Sequence, residues 1–444
     1  MTIADLVREA SAEQVTYSAD ECLKCNVCNT VCPVVRVTDL FPGPKYVGPQ
    51  AQRFRLARGQ AIQGVGSTSV PSPDRWVDYC SGCGWCTSAC PAGVKIAEIN
   101  NQARARMRKG RRPSLRDWGL SQTDLTGRLG VMTSPLANWA FANRAVRMLV
   151  EKTIGIHRAA PIPRFARRTF RSSWRRRAGR SAPLPSPDRA VVYFHGCAAN
   201  YYEPHVGRAA VEVLERNGFS VIVPEQVCCG LPLISNGFYE DARGRARRNA
   251  AVLATYARQG YRIVGTSTSC THTIKAEYRE LLDLRDEETE TVAAATWDIC
   301  EFLLELHEQG RLDTRFGRID LPLPYHAPCQ LRSHGIGLPA LELLALVPGL
   351  RVADMDHDCC GIAGTYGLKR EKYEIAMKVG EPLFRKVAAS GAGMAACDSE
   401  TCRWQIEKAT GVRVRHPVEI LADAYRSGDG RGPAGGERPV DPAG

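Results

Sequence analysis

No stretch of this sequence reaches the roughly 18 or more uncharged apolar residues that a membrane-spanning helix needs. The nearest, Leu338 to Leu350, is short and carries Glu342. The chain is therefore not expected to span a membrane, although it can lie on one. The opening residues, Met1 to Thr16, hold Asp5, Glu9 and Glu13 and no basic-then-apolar run, so no secretory signal is expected. Aromatics are sparse at 7% and are not interleaved with basic residues, which removes the stacking platform of a single-strand nucleic-acid binder. No nucleic-acid module is recognisable, and no nucleic-acid partner is expected. Acidic residues are the scarcer sign, 47 against 59 basic, and the excess of +12 crowds the stretch from Arg104 to Arg180. That asymmetry points to an anionic membrane surface or an acidic partner subunit.

What the chain has in abundance is cysteine, 18 residues of 444, in a sequence far too long to be a small disulfide scaffold. Without export the thiols face a reducing cytosol, where clustered cysteines mean metal. Eight of them form two copies of one pattern. The first is Cys22-x-x-Cys25-x-x-Cys28-x-x-x-Cys32-Pro33, and the second is Cys80-x-x-Cys83-x-x-Cys86-x-x-x-Cys90-Pro91. This run holds paired 4Fe–4S clusters in bacterial ferredoxin-type domains, three thiolates from one loop binding one cluster and the fourth reaching the other. The expected ligands are Cys22, Cys25, Cys28 and Cys90 for one cluster, and Cys80, Cys83, Cys86 and Cys32 for the other. Zinc sites also use Cys-x-x-Cys pairs, but zinc gives no reason for the third spacing or the Cys-Pro end.

A second repeat follows. Ala190-Val-Val-Tyr-Phe-His-Gly-Cys197 and Leu321-Pro-Leu-Pro-Tyr-His-Ala-Pro-Cys329 read as buried strands running into a cysteine. Each is followed by a doublet, Cys228-Cys229-Gly230 or Cys359-Cys360-Gly361, and then by a last cysteine, Cys270 or Cys402. Helical segments such as Asp241 to Arg258 and Lys369 to Ala388 separate the strands. Alternating strand and helix predicts a parallel sheet in each repeat, with ligand loops at the carboxyl ends of strands. The quartets Cys197, Cys228, Cys229, Cys270 and Cys329, Cys359, Cys360, Cys402 are the expected metal ligands of the repeats, buried structural thiols being the alternative. The glycine after each doublet allows close backbone approach, and Gly364 and Gly367 extend this in the second repeat. Cys300 reads as a core thiol, and Cys397 as a spare ligand near Cys402. His195 and His326 either ligate metal or pack at strand ends. His272 and His357 carry less.

The expected fold is α+β and multidomain. A helical ferredoxin-type domain with two 4Fe–4S clusters (12–108) contains a Pro- and Gly-rich loop, Phe41 to Pro49, and a short helix over Gln50 to Gln60. A basic, partly amphipathic connector (109–187) precedes α/β cysteine-rich repeats at 188–310 and 311–426 and a disordered tail at 427–444. Within the connector, Leu136 to Ile156 predicts a helix on which Trp139, Ala140, Val146, Leu149 and Val150 share a face. That face either lies on a membrane or packs on the protein's own core. The arginine-rich run from Arg164 to Arg180, with Phe165, Phe170 and Trp174, is either a membrane-surface segment or a solvated linker.

Along nearly its full length the chain resembles the family formed by the C subunits of anaerobic glycerol-3-phosphate dehydrogenase. The segments that carry the likeness are Phe41-Pro-Gly-Pro-Lys45, Arg112 to Arg116, Phe194-His-Gly-Cys197, Cys228 to Gly237, Cys359 to Gly367 and Glu400-Thr-Cys-Arg-Trp-Gln-Ile406. The resemblance implies an iron–sulfur subunit with two ferredoxin-type clusters and two copies of a cysteine-rich domain shared with heterodisulfide reductase and with glycolate and lactate oxidases. It implies passage of electrons from a flavin-containing subunit toward membrane quinone, in a complex with a possible second small subunit. The expected place is the cytoplasmic face of the cell membrane, peripherally attached. In the wider family each repeat often ends in Cys-x-x-Cys; here Ser267 and Ser399 stand at the first of those positions, which speaks against a five-thiolate, non-cubane cluster. Gly335-Ile-Gly-Leu-Pro-Ala340 fits a dinucleotide fingerprint by letter, but Pro339 and the lack of a leading strand argue against it. The flavin and the carbon chemistry are therefore expected on a partner chain, with the alternative that the repeats themselves reduce a disulfide.

Overall fold

The apolar runs that lead toward cysteine become interior strands of two parallel sheets. The computed structural model describes residues 15, 18–53, 74–108, 114–177, 184–356 and 358–431. One sheet joins β1 (Ala190–Phe194), β2 (Ser220–Ile222), β3 (Arg262–Gly265) and β4 (Thr296–Asp298) in the order β2-β1-β3-β4. The other joins β5 (Leu321–His326), β6 (Leu350–Asp354), β7 (Met394–Cys397) and β8 (Arg413–Arg415) in the matching order β6-β5-β7-β8. Every pair is parallel; Val192, for example, lies opposite Ile222 and Ile263. All five residues of β1 are buried, as a strand covered on both faces requires. In β5 the prolines Pro322 and Pro324 pair only with β6, and β7 joins at Tyr325 and His326, so the missing amides are not needed on the β7 side.

Each sheet buries its two faces differently. Val191 and Tyr193 of β1, with Leu323 and Tyr325 of β5, enter one core that both sheets share. The helices Pro204–Arg216, Ile299–Glu308, Pro339–Ala345 and Pro417–Gly428 fill that core. The opposite faces carry Tyr239–Ala257 on the first sheet and Tyr373–Ala389 on the second. The strands stop short of the cysteines they lead to. Cys197 and Cys329 sit instead in the helices Gly196–Tyr201 and Cys329–His334.

The N-terminal unit is a set of short helices around Ile96–Arg108. Its Pro-Gly segment is not a free loop. Phe41 is buried, and the turn Tyr46–Gln50 lies so close to Ile96–Arg108 that a Cβ on Gly48 would sit 3.0 Å from Asn100 Oδ1. The helix expected over Gln50 to Gln60 is described only as far as residue 53; its remainder, like the tail beyond residue 431 and His357, lies outside the described residues. Val34, Phe41, Val77 and Ala103 of this unit share an apolar cluster with Tyr366, Ile375, Ala376 and Val379 of the second repeat.

The connector is not a solvated linker. Its helices Leu115–Ser121, Thr123–Met132 and Phe170–Arg177 pack on the first repeat. Phe170 is 2% exposed, its ring edge-on to Tyr193 at 5.5 Å. A Cβ on Gly127 would meet the Tyr201 ring at 2.5 Å, so the helix seats there only because glycine has no side chain. Nearby arginines are paired, Arg171 and Arg175 with Glu225 and Arg177 with Glu215. Phe170→Ala is expected to cost about 3–5 kcal/mol, read as a lowered unfolding midpoint. The single helix expected over Leu136 to Ile156 is two, Ser134–Ala142 and Arg144–Thr153. The break is at Asn143, whose extended backbone lets Oδ1 accept from the amides of Ala145 and Val146 at 2.9 and 3.1 Å. The apolar face does not close over a core. Leu136, Trp139 and Leu149 are 66, 60 and 60% exposed, while Val146 and Val150 are half-buried.

Buried ions lock these parts together. Lys369 of the second repeat reaches Asp117 of the connector at 2.9 Å and Asn236 of the first repeat at 2.8 Å. Arg108 of the N-terminal unit meets Asp117 at 2.7 Å. Burial alone would raise the Asp117 carboxyl, but Lys369, Arg108 and Arg116 hold it below the usual range. Asp117→Leu strands a buried ammonium and is expected to destabilise the chain by about 3–5 kcal/mol.

Candidate cluster-binding sites

The two N-terminal loops adopt one conformation. Lys24 and Asn26 are left-handed, with φ of 58° and 70°, and so are the matching Gly82 and Gly84, with φ of 69° and 84°. Alternating handedness curls the backbone and aims successive N–H groups inward, a concavity suited to an anionic group. Cys28 and Cys86 ride on the helices Val27–Val31 and Trp85–Ser88 that follow. Burial, and then the thiols of Cys22, Cys90 and Cys25, push the Cys28 thiol up. Burial, and then Cys80, Cys83 and Cys32, do the same to Cys86. Cys90 thus falls among the thiols of the first loop and Cys32 among those of the second. Burial drives Cys32 up to about 12. Asn100 Nδ2 donates to Cys80 Sγ at 3.8 Å.

In the repeats the ligand loops stand at the carboxyl ends of strands. Cys197 follows β1, Cys228 and Cys229 follow β2, and Cys270 lies in the helix Thr268–His272 after β3. Cys329, Cys359, Cys360 and Cys402 occupy the same places relative to β5, β6 and β7. Each quartet is a chain of touching thiols. Hydrogen bonding with Cys197 and Cys229 lowers the Cys228 thiol, and the same contacts raise its two neighbours. In the second repeat Cys329 lowers Cys359 and Cys360 lowers Cys402, with Cys360 Sγ 2.9 Å from Cys402 Sγ. Metal binding would require these thiols to lose their protons, so occupation of such a site is pH-dependent. All 18 cysteines are free. Sulfur donors in fours, curled amide loops and close glycines fit iron–sulfur clusters.

Two glycines set the approach of backbone to sulfur. A Cβ on Gly196 would lie 3.2 Å from Cys270 Sγ. Gly361 has φ of +80°, donates its N–H to Cys359 Sγ at 3.3 Å, and would drive a Cβ to 1.9 Å from the Ala376 carbonyl oxygen. Gly361→Ala is therefore expected to cost more than about 3 kcal/mol and to lower the iron content of the purified chain.

The four groups are not isolated. One cavity of about 110 Å³ is lined by Cys83, by the whole quartet of the first repeat, and by Cys329, Cys360 and Cys402 of the second. After burial, the Cys359 thiol is the largest influence raising Cys83. The second thiol group of the N-terminal unit thus abuts the second repeat, and both repeats face one chamber.

One neighbour of the thiols, Asp124, was not legible in the sequence. Asp124 of the connector accepts the Cys228 amide at 3.0 Å and pairs with Arg245 at 2.5 Å. Ser267, where the wider family has cysteine, is a helix cap: Oγ accepts from the Cys270 amide at 3.4 Å. Its hydroxyl also reaches Glu400 of the other repeat at 3.3 Å. Ser399 begins the helix Glu400–Thr410, its Oγ 3.4 Å from Thr401 Oγ1. Cys397 is fully buried beside Cys402, its Sγ 3.7 Å from the Ser399 carbonyl. Cys300 is a core thiol, set between the carboxyls of Asp298 and Asp398. The Gly335 motif caps the end of Cys329–His334 and precedes another helix, with no strand before it.

These observations define an iron–sulfur protein in which a dicluster unit is joined to two cysteine-rich α/β repeats. Residues 18–94 match the 4Fe-4S dicluster domain family, and residues 191–275 and 323–407 match the cysteine-rich domain family. Over 414 residues the chain is 37% identical to the C subunit of anaerobic glycerol-3-phosphate dehydrogenase from Escherichia coli (strain K12), covering 92% of this chain and 98% of that one. The chain belongs to that C-subunit family. It is also similar to the B subunit of the fumarate reductase (CoM/CoB) of Methanothermobacter marburgensis, 25% identical over 93% of this chain and 73% of that one. Lactate utilization protein A of Halalkalibacterium halodurans is 28% identical over 53% of this chain and 98% of its own length.

Proposed function

We propose that the chain is the iron–sulfur electron-transfer subunit of a membrane-associated flavin dehydrogenase complex that oxidises glycerol 3-phosphate and delivers electrons toward quinone. The observation that carries this reading is the convergence of four cysteine groups, three of them on one cavity. Cys22, Cys25, Cys28 and Cys90 hold one 4Fe–4S cluster, and Cys80, Cys83, Cys86 and Cys32 hold the other. Cys197, Cys228, Cys229 and Cys270, and Cys329, Cys359, Cys360 and Cys402, hold the centres of the repeats. Iron–sulfur clusters, when bound, supply one-electron carriers whose potential the protein tunes by burial and hydrogen bonding. The chain's own part is to keep its thiols close and dry, and to donate amides such as those of Gly361 and Asn100 to sulfur.

Attachment is assigned to the connector. No helix among the described residues is long and apolar enough to cross a membrane. The exposed side chains of Leu136, Trp139 and Leu149 fit the shallow apolar layer under lipid headgroups, at the inner face of the cell membrane.

Native complex purified without oxygen tests the reading. A co-purifying flavin protein, and reduction of the iron–sulfur signals by glycerol 3-phosphate, are the expected results. A colourless, iron-free protein would refute it. Reduction by lactate or glycolate alone would move the complex to another donor.

One observation favours a second reading. Both repeats face the same cavity, so a substrate disulfide could be reduced between them. Turnover of a disulfide by the purified chain with an artificial electron donor would establish that activity.

A further inference from the structure

Each repeat carries a histidine near the end of its first strand, one register position apart: His326 lies opposite Cys397 as Phe194 lies opposite Gly265, and His195 comes one residue later. His195 follows β1 and His326 ends β5. His195 turns away from the thiols of its repeat. Its Nδ1 lies 2.7 Å from the Gly196 carbonyl, and its ring packs edge-on against Phe170 and Tyr193, at 5.7 and 6.5 Å. His326 turns toward the thiols. It is 2% exposed, its ring has no oxygen or nitrogen partner, and it hydrogen-bonds with the Cys402 thiol. A ring nitrogen of His326 and the sulfurs of Cys360 and Cys402 all lie within 4.8 Å of one another.

A ring nitrogen left with only a weak thiol contact keeps most of the roughly 1–3 kcal/mol cost of a buried polar atom, and a bond to metal would remove that cost at the bonded nitrogen. Donors gathered this closely, one nitrogen and two sulfurs, suit a single metal centre. We propose that His326 is a ligand of the metal centre of the second repeat, through a ring nitrogen. The centre of the first repeat is held by thiolates alone and that of the second by thiolates and one imidazole. This rests on the reading of the repeats as iron–sulfur sites.

The consequence is electronic. With all four thiolates retained, the imidazole is an added, uncharged donor, and a cysteine in its place would add negative charge and lower the reduction potential. Cys397, turned toward the Ser399 carbonyl, is not needed to complete the set.

The chain labelled with ¹⁵N-histidine, purified without oxygen and examined by pulsed electron paramagnetic resonance, tests this on the unmutated protein. The expected result is one signal with a strong histidine-nitrogen coupling. The coupling survives His195→Gln and disappears in His326→Gln, and His326→Cys shifts that signal to a lower potential. No coupling, in protein whose iron clearly exceeds the roughly eight atoms of a dicluster unit, overturns the ligand assignment alone. A coupling that persists in His326→Gln overturns it equally. Iron at roughly eight atoms with no signal from the repeats removes the underlying reading, and this proposal with it.

Discussion

Cys83→Ser will lower quinone-linked turnover of the assembled complex by roughly a hundredfold or more, the upper range seen when a metal site is disturbed. Cys83 is chosen over the other seven N-terminal cysteines because of where it stands. It lines the chamber between the repeats, and Cys359 acts on it more strongly than any other thiol does. Loss of its sulfur therefore touches two centres, one in the N-terminal unit and one in the second repeat. Cys28→Ser supplies the contrast. The thiols that act on Cys28 are Cys22, Cys90 and Cys25, with none from the repeats. Its expected effect is loss of one low-potential signal with the signals of the repeats unchanged. Electron paramagnetic resonance of the two variants side by side checks the difference; identical spectra would refute the placement of Cys83 at a junction. Cys229→Ser is expected to perturb a signal that neither N-terminal variant alters, and an unaltered spectrum there would make the repeat cysteines plain buried thiols.

Leu136→Glu, Trp139→Glu and Leu149→Glu made together will move the complex from the membrane fraction to the soluble fraction without lowering its iron content. These side chains already face water, so the fold loses little by their replacement. A membrane loses much more. Each apolar side chain of this size gains about 1.5–3 kcal/mol when it leaves water. Three together supply about 5 kcal/mol, which corresponds to a fall of roughly a thousandfold in partitioning. New carboxylates add repulsion from an anionic leaflet. Flotation with vesicles rich in anionic lipid, compared with neutral vesicles, measures the effect. A triple variant that still floats would place attachment elsewhere, on the arginines of Phe170–Arg177 or on a partner chain.

Much of the architecture was legible because it is written in short-range spacing. The doubled cysteine run needs only neighbouring letters, and the repeat of strand, doublet and final cysteine declares two similar sheets. What escaped the letters depends on contacts between distant segments. Phe170 lies in a run of arginines that reads as solvated, yet it enters the core because Tyr193, on a strand later in the chain, offers it an edge. Asn143 breaks a helix that periodicity makes continuous, because its side chain caps the amides of Ala145 and Val146. Ser267 looks like a lost ligand and is a cap. His195 and His326 stand two and three residues before their cysteines, and that one-residue offset leaves His326 facing thiols while His195 turns to the Gly196 carbonyl.

The apolar cluster shared by Val34, Phe41 and Val77 with Tyr366, Ile375 and Val379 has a consequence for how the chain is made. The segment synthesised first packs against a segment synthesised near the end. At ~5–20 residues per second, the ribosome takes tens of seconds to produce the missing half of that packing. Throughout that interval the earliest cysteines are part of an unfinished nascent polypeptide, open to oxygen and to stray metals. Closure of that apolar cluster is therefore a late event, and fragments that end before residue 359 leave Val34, Phe41 and Val77 without their partners.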